Sequence, residues 1–203
     1  MTTYFTADQH FGCPKEIFYI FGRPFKTVEE HDFALFETWY QTVKPEDTVY
    51  VLGDVAVGTN ATKVAGLMAD LHGKKILLPG HHDLAGFEGE SKEKILDAFH
   101  KAGFEVVSNK YTTINIPTRK GEVKVRLCHY PYHYEGNTDV LIKEYPVNDE
   151  NLPLLHGHAH NKNKFNIHNK LEYNVSVDAN RYKLVSEHEV VEWLETLQME
   201  GII

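Results

Sequence analysis

The sequence predicts an α/β fold in which two sheets pack as a sandwich with helices outside. Two observations carry this reading. Up to about residue 103, apolar strand-like runs alternate with helix-periodic segments, the signature of parallel βαβ units. Beyond that point strand-like runs follow one another with short connections before a last helix. A chain of 203 residues fits one domain, taken as residues 1–203, with no repeat, low-complexity segment or linker.

The first strand is Thr2 to Thr6, ending in Ala7-Asp8-Gln9-His10. A loop with Gly12, Pro14, Gly22 and Pro24 follows, with one or two helical turns over Glu16 to Phe21. Thr27-Val28-Glu29-Glu30 has the form of a capping box. Leu35, Phe36, Trp39, Tyr40 and Val43 then recur at helical spacing, so Val28 to Val43 is a helix with one buried face. Thr48 to Leu52 is β-branched and apolar, a buried strand that runs into Gly53-Asp54. Thr62 to Leu71 is a second helix, closed by His72-Gly73. Lys75 to Leu78 is a third strand, ending in Pro79-Gly80-His81-His82-Asp83, and Ser91 to Lys101 is a third helix, stopped at Gly103. The second half reads as strands over Glu105–Val107, Tyr111–Ile116, Glu122–Leu127, Leu152–Leu155 and Tyr173–Val177. Ser186 to Leu197 is the final helix, with Ser186 and Glu189 as a second capping box.

Composition narrows the function. The chain is 42% hydrophobic and 25% charged, ordinary for a globular protein. No apolar run approaches the ~18 residues that span a bilayer. Met1 to His10 has no basic stretch followed by an apolar one, so it does not read as a signal peptide, and a cytoplasmic location is expected. Cys13 and Cys128 are too few for a disulfide framework and read as free thiols. The formal charge of −8, with Arg only at 23, 119, 126 and 181, argues against a partner such as long nucleic acid, which wants a basic surface. A small phosphorylated substrate is the better default.

The unusual number is 13 His. Four predicted strands and one further apolar run end in metal-type ligands: Asp8 and His10; Asp54; His81, His82 and Asp83; His129; and His156, His158 and His160. Ligands of α/β proteins bind at the carboxyl ends of strands, and adjacent glycines let the backbone approach closely. Carboxylate with imidazole suits Mn, Fe, Zn or Ni better than Ca. These residues outnumber one tetrahedral zinc site. Two ions about 3.5–4 Å apart, sharing one bridging carboxylate, would use about seven such ligands, holding a bridging hydroxide and clamping both oxygens of an in-line phosphoryl displacement. The closely spaced His-x-His-x-Asp-His of a metallo-β-lactamase site is absent, as is a Gly-rich phosphate loop ending in Lys-Ser or Lys-Thr.

Asp8-Gln9-His10, Gly53-Asp54, Gly80-His81-His82-Asp83, the lone His129 and Gly157-His158-Ala159-His160 resemble the five ordered motifs of calcineurin-like metallophosphoesterases. The resemblance spans residues 1 to about 180. Arg23-Pro24-Phe25, the run from Thr48 to Asp54 and Gly73-Lys74-Lys75-Ile76 are similar to a subgroup of small bacterial and phage phosphoesterases. The resemblance implies a four-layer-type α/β/β/α sandwich of two mixed sheets flanked by helices. It implies one divalent metal held by Asp8, His10 and His160, a second held by His81, His129 and His158, and Asp54 as the bridge. His82 would protonate the leaving oxygen or steady the phosphate, and Asp83 would orient it. Two positions depart from the pattern. The family has Asn where this chain has His81: the imidazole either ligates and shifts preference toward Zn, Ni, Co or Fe, or turns away and leaves the second site weak. Subgroup members tend to carry His near the first motif where this chain has Cys13, which either ligates or is a buried free thiol.

The remaining candidates divide as follows. His31, His72, His100, His168 and His188 read as surface residues. His156 shares the period of His158 and His160 but reads as a structural residue behind the ligands. Arg23 is either a phosphate fork or a surface residue paired with an acid. Tyr130, Tyr132, His133 and Tyr134 could stack on a nucleobase or simply pack. Asp139, Glu144, Asp149 and Glu150 read as solvated charges. The expected activity is metal-dependent hydrolysis of a phosphomonoester or phosphodiester, with a small nucleotide-like substrate favoured. A nuclease or RNA-end-processing enzyme and a non-catalytic metal-binding scaffold are the alternatives.

Overall fold

A computed structural model describes residues 1–56, 61–84, 91–132 and 142–203. His133, Tyr134 and Asp139, considered above, lie outside the described residues. Strands β1 (Thr3–Thr6), β2 (Thr48–Val51), β3 (Lys74–Leu77) and β4 (Phe104–Val106) are parallel, as the strand–helix alternation predicts. A second sheet has the order β5 (Tyr111–Thr118), β6 (Gly121–Cys128), β7 (Leu154–His156) and β8 (Glu172–Asn174). Only its β5–β6 pair is antiparallel. A short strand β9 (Val185–Ser186) adds antiparallel to β1, so both sheets are mixed. At two residues, β9 is too brief to leave a periodic signal in the sequence.

The strands alternate faces, and each face has its own core. Val49 and Val51 of β2 and Leu77 of β3 face a cluster with Leu35, Trp39, Val64, Ile95 and Phe99. These come from helices α2 (Val28–Thr42), α3 (Ala61–Leu67) and α5 (Lys92–Lys101); α1 (Lys15–Phe21) precedes them, and the one-turn α4 (His81–Leu84) lies between α3 and α5. Leu52, Ile76 and Leu78 point the other way, toward Val125, Leu127, Leu155 and Tyr173 of the second sheet. Val190, Trp193, Leu194 and Leu197 of α6 (Glu187–Met199) join that cluster. The result is two mixed sheets flanked by helices, the fold the resemblance implies. No helix among the described residues is long and apolar enough to cross a membrane.

Local chemistry sets the ends of the helices. Ser186 accepts from Glu189 N–H while the Glu189 carboxylate accepts from Ser186 N–H, a complete capping box. At α2 only half of the expected box forms: Thr27 accepts from Glu30 N–H, but the Glu30 carboxylate accepts from Lys26 N–H instead of Thr27. The predicted helix over Thr62 to Leu71 narrows at Met68–Asp70 into a 3-10 turn.

Register matters most for function. Thr6, Val51 and Leu77 stand side by side, as do Leu127, Leu155 and Tyr173. Chains leaving these strands therefore enter their loops at one level. A parallel bridge from Ala7 to Ser176 joins the two sheets there, with Val177 N–H donating to Ala7 O at 3.0 Å.

Two polar expectations fail. Asp149 and Glu150 are not merely solvated: they close over Arg126, a buried β6 guanidinium, at 3.3 and 3.0 Å. His31 is not a surface residue but fully buried on α2. In both places a polar group without apolar periodicity is carried inward because partners await it.

Candidate metal centre

The five loop clusters meet at this level. Asp8 and His10 follow β1, Asp54 follows β2, His81 and His82 open α4 after β3, His129 follows β6, and His158 and His160 follow β7. Two ligand groups result. One is Asp8, His10 and His160; the other is Asp54, His81, His129 and His158; within each, ligand atoms lie within 4.8 Å of one another. Asp54 Oδ2 is 3.2 Å from His81 Nδ1, 3.3 Å from His129 Nε2 and 3.8 Å from His10 Nε2, so this one carboxylate faces both groups. Every residue proposed as a ligand from the sequence is present, and His81 turns inward.

The arrangement fits metal ions on a test internal to the structure. Asp8 Oδ1, both ring nitrogens of His10, Asp54 Oδ2, His81 Nδ1 and His129 Nε2 are buried without a hydrogen-bond partner. Each such atom costs about 1–3 kcal/mol when left bare. The companion atoms of several of these side chains are, by contrast, engaged. Asp8 Oδ2 accepts from His158 N–H at 2.8 Å, Asp54 Oδ1 accepts from His82 N–H at 2.9 Å, and His129 Nδ1 meets Leu52 O at 2.8 Å. One atom anchors the side chain and leaves the other aimed inward, as metal-ligating side chains require.

Burial alone would raise the Asp54 carboxyl, but the imidazoles of His129, His10 and His81 hold it well below the usual carboxylate range. Burial opposes protonation of His129, yet Asp54, Asp8 and the Leu52 carbonyl outweigh it and raise this imidazole to about 9. An imidazolium must release that proton before its nitrogen can ligate.

The backbone is strained at the same residues. Asp8, His10, Asp54, His158 and His160 have φ of 59°, 52°, 55°, 67° and 46°. They make up five of the eight non-glycine residues with positive φ among the described residues. The loops also touch. A Cβ on Gly80 would lie 2.1 Å from Asp54 Oδ1, and one on Gly157 would lie 2.6 Å from Asp8 Oδ2.

His82 stands half-buried beside both groups, its ring centroid 5.3 Å from that of His10 and 4.0 Å from that of His81. Burial lowers its imidazole below the usual value. Phe21 stacks on His160 at 3.7 Å.

Three expectations about neighbouring residues change. Asp83 does not orient His82. Its carboxylate accepts from the backbone N–H of Asp54, Val55 and Gly80 at 2.7, 2.8 and 2.9 Å, locking the β2 and β3 loops together. Arg23 is neither a phosphate fork nor a surface residue: its side chain is fully buried and ion-paired with Asp178. Tyr130 is buried, stacked on Tyr145 at 5.3 Å and packed against His129 and His158 at 4.8 and 4.9 Å. It walls the ligand imidazoles instead of offering an open face to a base.

His156 is the structural residue expected, buried with Nδ1 on Gly157 O at 2.8 Å. Cys13 is a buried free thiol, pushed up to about 11 by burial, and joins neither ligand group. Sequence reasoning missed Asp178, whose Oδ2 lies 2.8 Å from His160 Nδ1. The signal was present, because Asp178 directly follows the predicted strand Tyr173 to Val177, just as the ligands follow theirs.

Comparisons with known proteins agree with this geometry. The family model described as calcineurin-like phosphoesterase matches residues 1–202. The Gene 66 protein of Mycobacterium phage L5 is 29% identical over 204 residues, covering 98% of this chain and 96% of that protein. The Gene 66 protein of Mycobacterium phage D29 is 27% identical over 205 residues, covering 98% of each. Among solved structures, AQ665 from Aquifex aeolicus, a protein of unknown function, aligns with a TM-score of 0.64 and 26% identity over 93% of this chain and 97% of its own.

Proposed function

This chain belongs to the calcineurin-like phosphoesterase family, and from that premise we propose that it hydrolyses a phosphomonoester or phosphodiester of a small, nucleotide-like compound with two divalent transition-metal ions. Metal-dependent phosphoester hydrolysis is the family's chemistry. The pair of ions and the substrate class are our reading. The observation that carries it is the set of bare, buried ligand atoms in two groups that share Asp54. We assign one ion to Asp8, His10, His160 and Asp54 and the other to Asp54, His81, His129 and His158. When bound, such ions supply Lewis acidity and make a water nucleophilic at neutral pH. Because the ligands come from both sheets, we read residues 1–203 as one catalytic domain. The net charge of −8 favours a small phosphorylated compound over a long strand.

The second group, with three imidazoles to one carboxylate, suits Zn, Ni, Co or Fe; the first, richer in oxygen, also suits Mn. Chelator-treated protein is expected to lose hydrolysis of nitrophenyl phosphate mono- and diesters, and one of these ions should restore it. Turnover that survives complete chelation overturns the function. His81→Asn is expected to move the order of restoring ions toward Mn, and an unchanged order removes His81 from the second group.

His82 is the residue we place against the substrate. Its backbone N–H is fixed on Asp54, which leaves the ring beside both groups to donate a proton toward the phosphate or the leaving oxygen. His82→Ala is expected to lower turnover by about 10²- to 10⁴-fold. The loss should be larger for an alkyl ester than for a nitrophenyl ester, whose leaving group needs little protonation. Equal losses on both substrates would leave His82 a positioning role only.

A further inference from the structure

We propose that Arg23 and Asp178 form a clamp that sets the ion affinity of one ligand group and not the other. The proposal rests on the two-ion reading above. Asp178 follows β8 and is 3% exposed. Its Oδ2 holds His160 Nδ1 at 2.8 Å, which leaves His160 Nε2 facing Asp8 Oδ1 at 3.9 Å.

Arg23 grips the same carboxylate through two N–H groups, Nε to Oδ1 at 3.0 Å and Nη2 to Oδ2 at 2.7 Å. Nη2 also donates to Asp8 O at 2.7 Å, and Nη1 donates to Gln9 O at 2.9 Å and meets His31 Nε2 at 2.8 Å. Four N–H donors of the guanidinium are therefore used, and the fifth is used where His31 Nε2 accepts. Behind it, His31 Nδ1 meets Asp32 Oδ1 at 2.8 Å, and the Asp32 carboxylate accepts from Gly12 N–H at 3.0 Å.

One guanidinium thus fixes the carbonyls of Asp8 and Gln9, the stretch where Asp8 and His10 hold positive φ. Through Asp178 it also fixes the ring of His160. Asp8, His10 and His160 are the whole of one ligand group. Among the described residues, neither Arg23 nor Asp178 hydrogen-bonds to Asp54, His81, His129 or His158. A Lys could replace the charge of Arg23 but not its planar fan of donors.

The test is a two-site calorimetric titration of chelator-treated wild type, Arg23→Lys and Asp178→Asn with Mn, with ion content checked by mass spectrometry. Wild type is expected to take up two ions. Each variant should keep one site at wild-type affinity and bind the other about 10- to 100-fold more weakly. Either change disturbs a buried ion pair and can cost stability. His31→Gln is the milder third variant, because it loosens Nη1 and leaves the Arg23–Asp178 ion pair in place, and should show a smaller loss at the same single site. Equal weakening of both sites, or none, overturns the clamp alone. A wild-type chain that takes up only one ion overturns the two-ion reading and the clamp with it.

Discussion

Asp54→Ala is expected to reduce hydrolysis of nitrophenyl phosphate esters by about 10³-fold or more, the equivalent of several kcal/mol of transition-state stabilisation. The reason is geometric. Asp54 Oδ2 lies within 3.8 Å of one imidazole nitrogen of the first group and two of the second, so its removal strips both groups of a shared charge. Its Oδ1 also accepts the His82 N–H, so His82 loses its anchor in the same step. Asp54→Asn separates these roles, since it keeps an acceptor for His82 while removing the charge. It should recover little activity if the charge is what matters. Purified Asp54→Ala with unchanged turnover would falsify the assignment.

Gly80→Ala carries the second large effect, although no chemistry is removed. The backbone at Gly80 does not need positive φ, so the cost is purely one of space. The added methyl would lie 2.1 Å from Asp54 Oδ1 and 2.7 Å from Asp54 N. These neighbours cannot swing aside: Asp54 N–H and Gly80 N–H both donate to Asp83 Oδ2, at 2.7 and 2.9 Å. The β2 and β3 loops must part, and a displacement near 1 Å costs about 10²-fold in rate. Turnover and ion content are expected to fall together, with overpacking adding a stability loss of about 1–3 kcal/mol visible in chelator-treated melts. Wild-type turnover with two ions retained would show that the loops have slack the distances deny.

The candidate ligand set was legible because two kinds of signal coincide in short stretches. A β-branched or apolar run of four to six residues announces a strand, and an Asp or His just past its end announces chemistry, as at Leu52-Gly53-Asp54 and Leu127-Cys128-His129. In-register pairing of Thr6 with Val51 and of Val51 with Leu77 then brings separate loops to one place. What could not be read was the partner of each polar residue. Arg23 and Asp178 are 155 positions apart, and nothing local to either says that they meet. His31 sits among polar neighbours, Glu30 and Asp32, that suggest an exposed face, yet it packs behind Arg23. Asp83 was read through its neighbour His82, whereas its carboxylate serves backbone N–H groups, which carry no sequence signature. Local patterns specify strands and turns; the hydrogen bonds behind a site depend on tertiary placement.

The left-handed backbone at the ligands bears on how freely this site can vary. Among non-glycine residues, Asp, Asn and His are the types that most readily accept positive φ. Two of these are also the proposed ligand types, so at Asp8, His10, Asp54, His158 and His160 one residue would have to satisfy two demands at once. Glu is a competent ligand but lacks that tolerance, and an Asp-to-Glu exchange at position 8 or 54 is not a mild one. His81 and His129, as proposed ligands, sit on ordinary backbone, and His81 does so in the first turn of α4. At these two positions only the donor atom is constrained. It follows that a site of this design is free to exchange amide for imidazole at position 81, where this chain departs from its motif, and can change the character of an ion without rebuilding the loops that hold it.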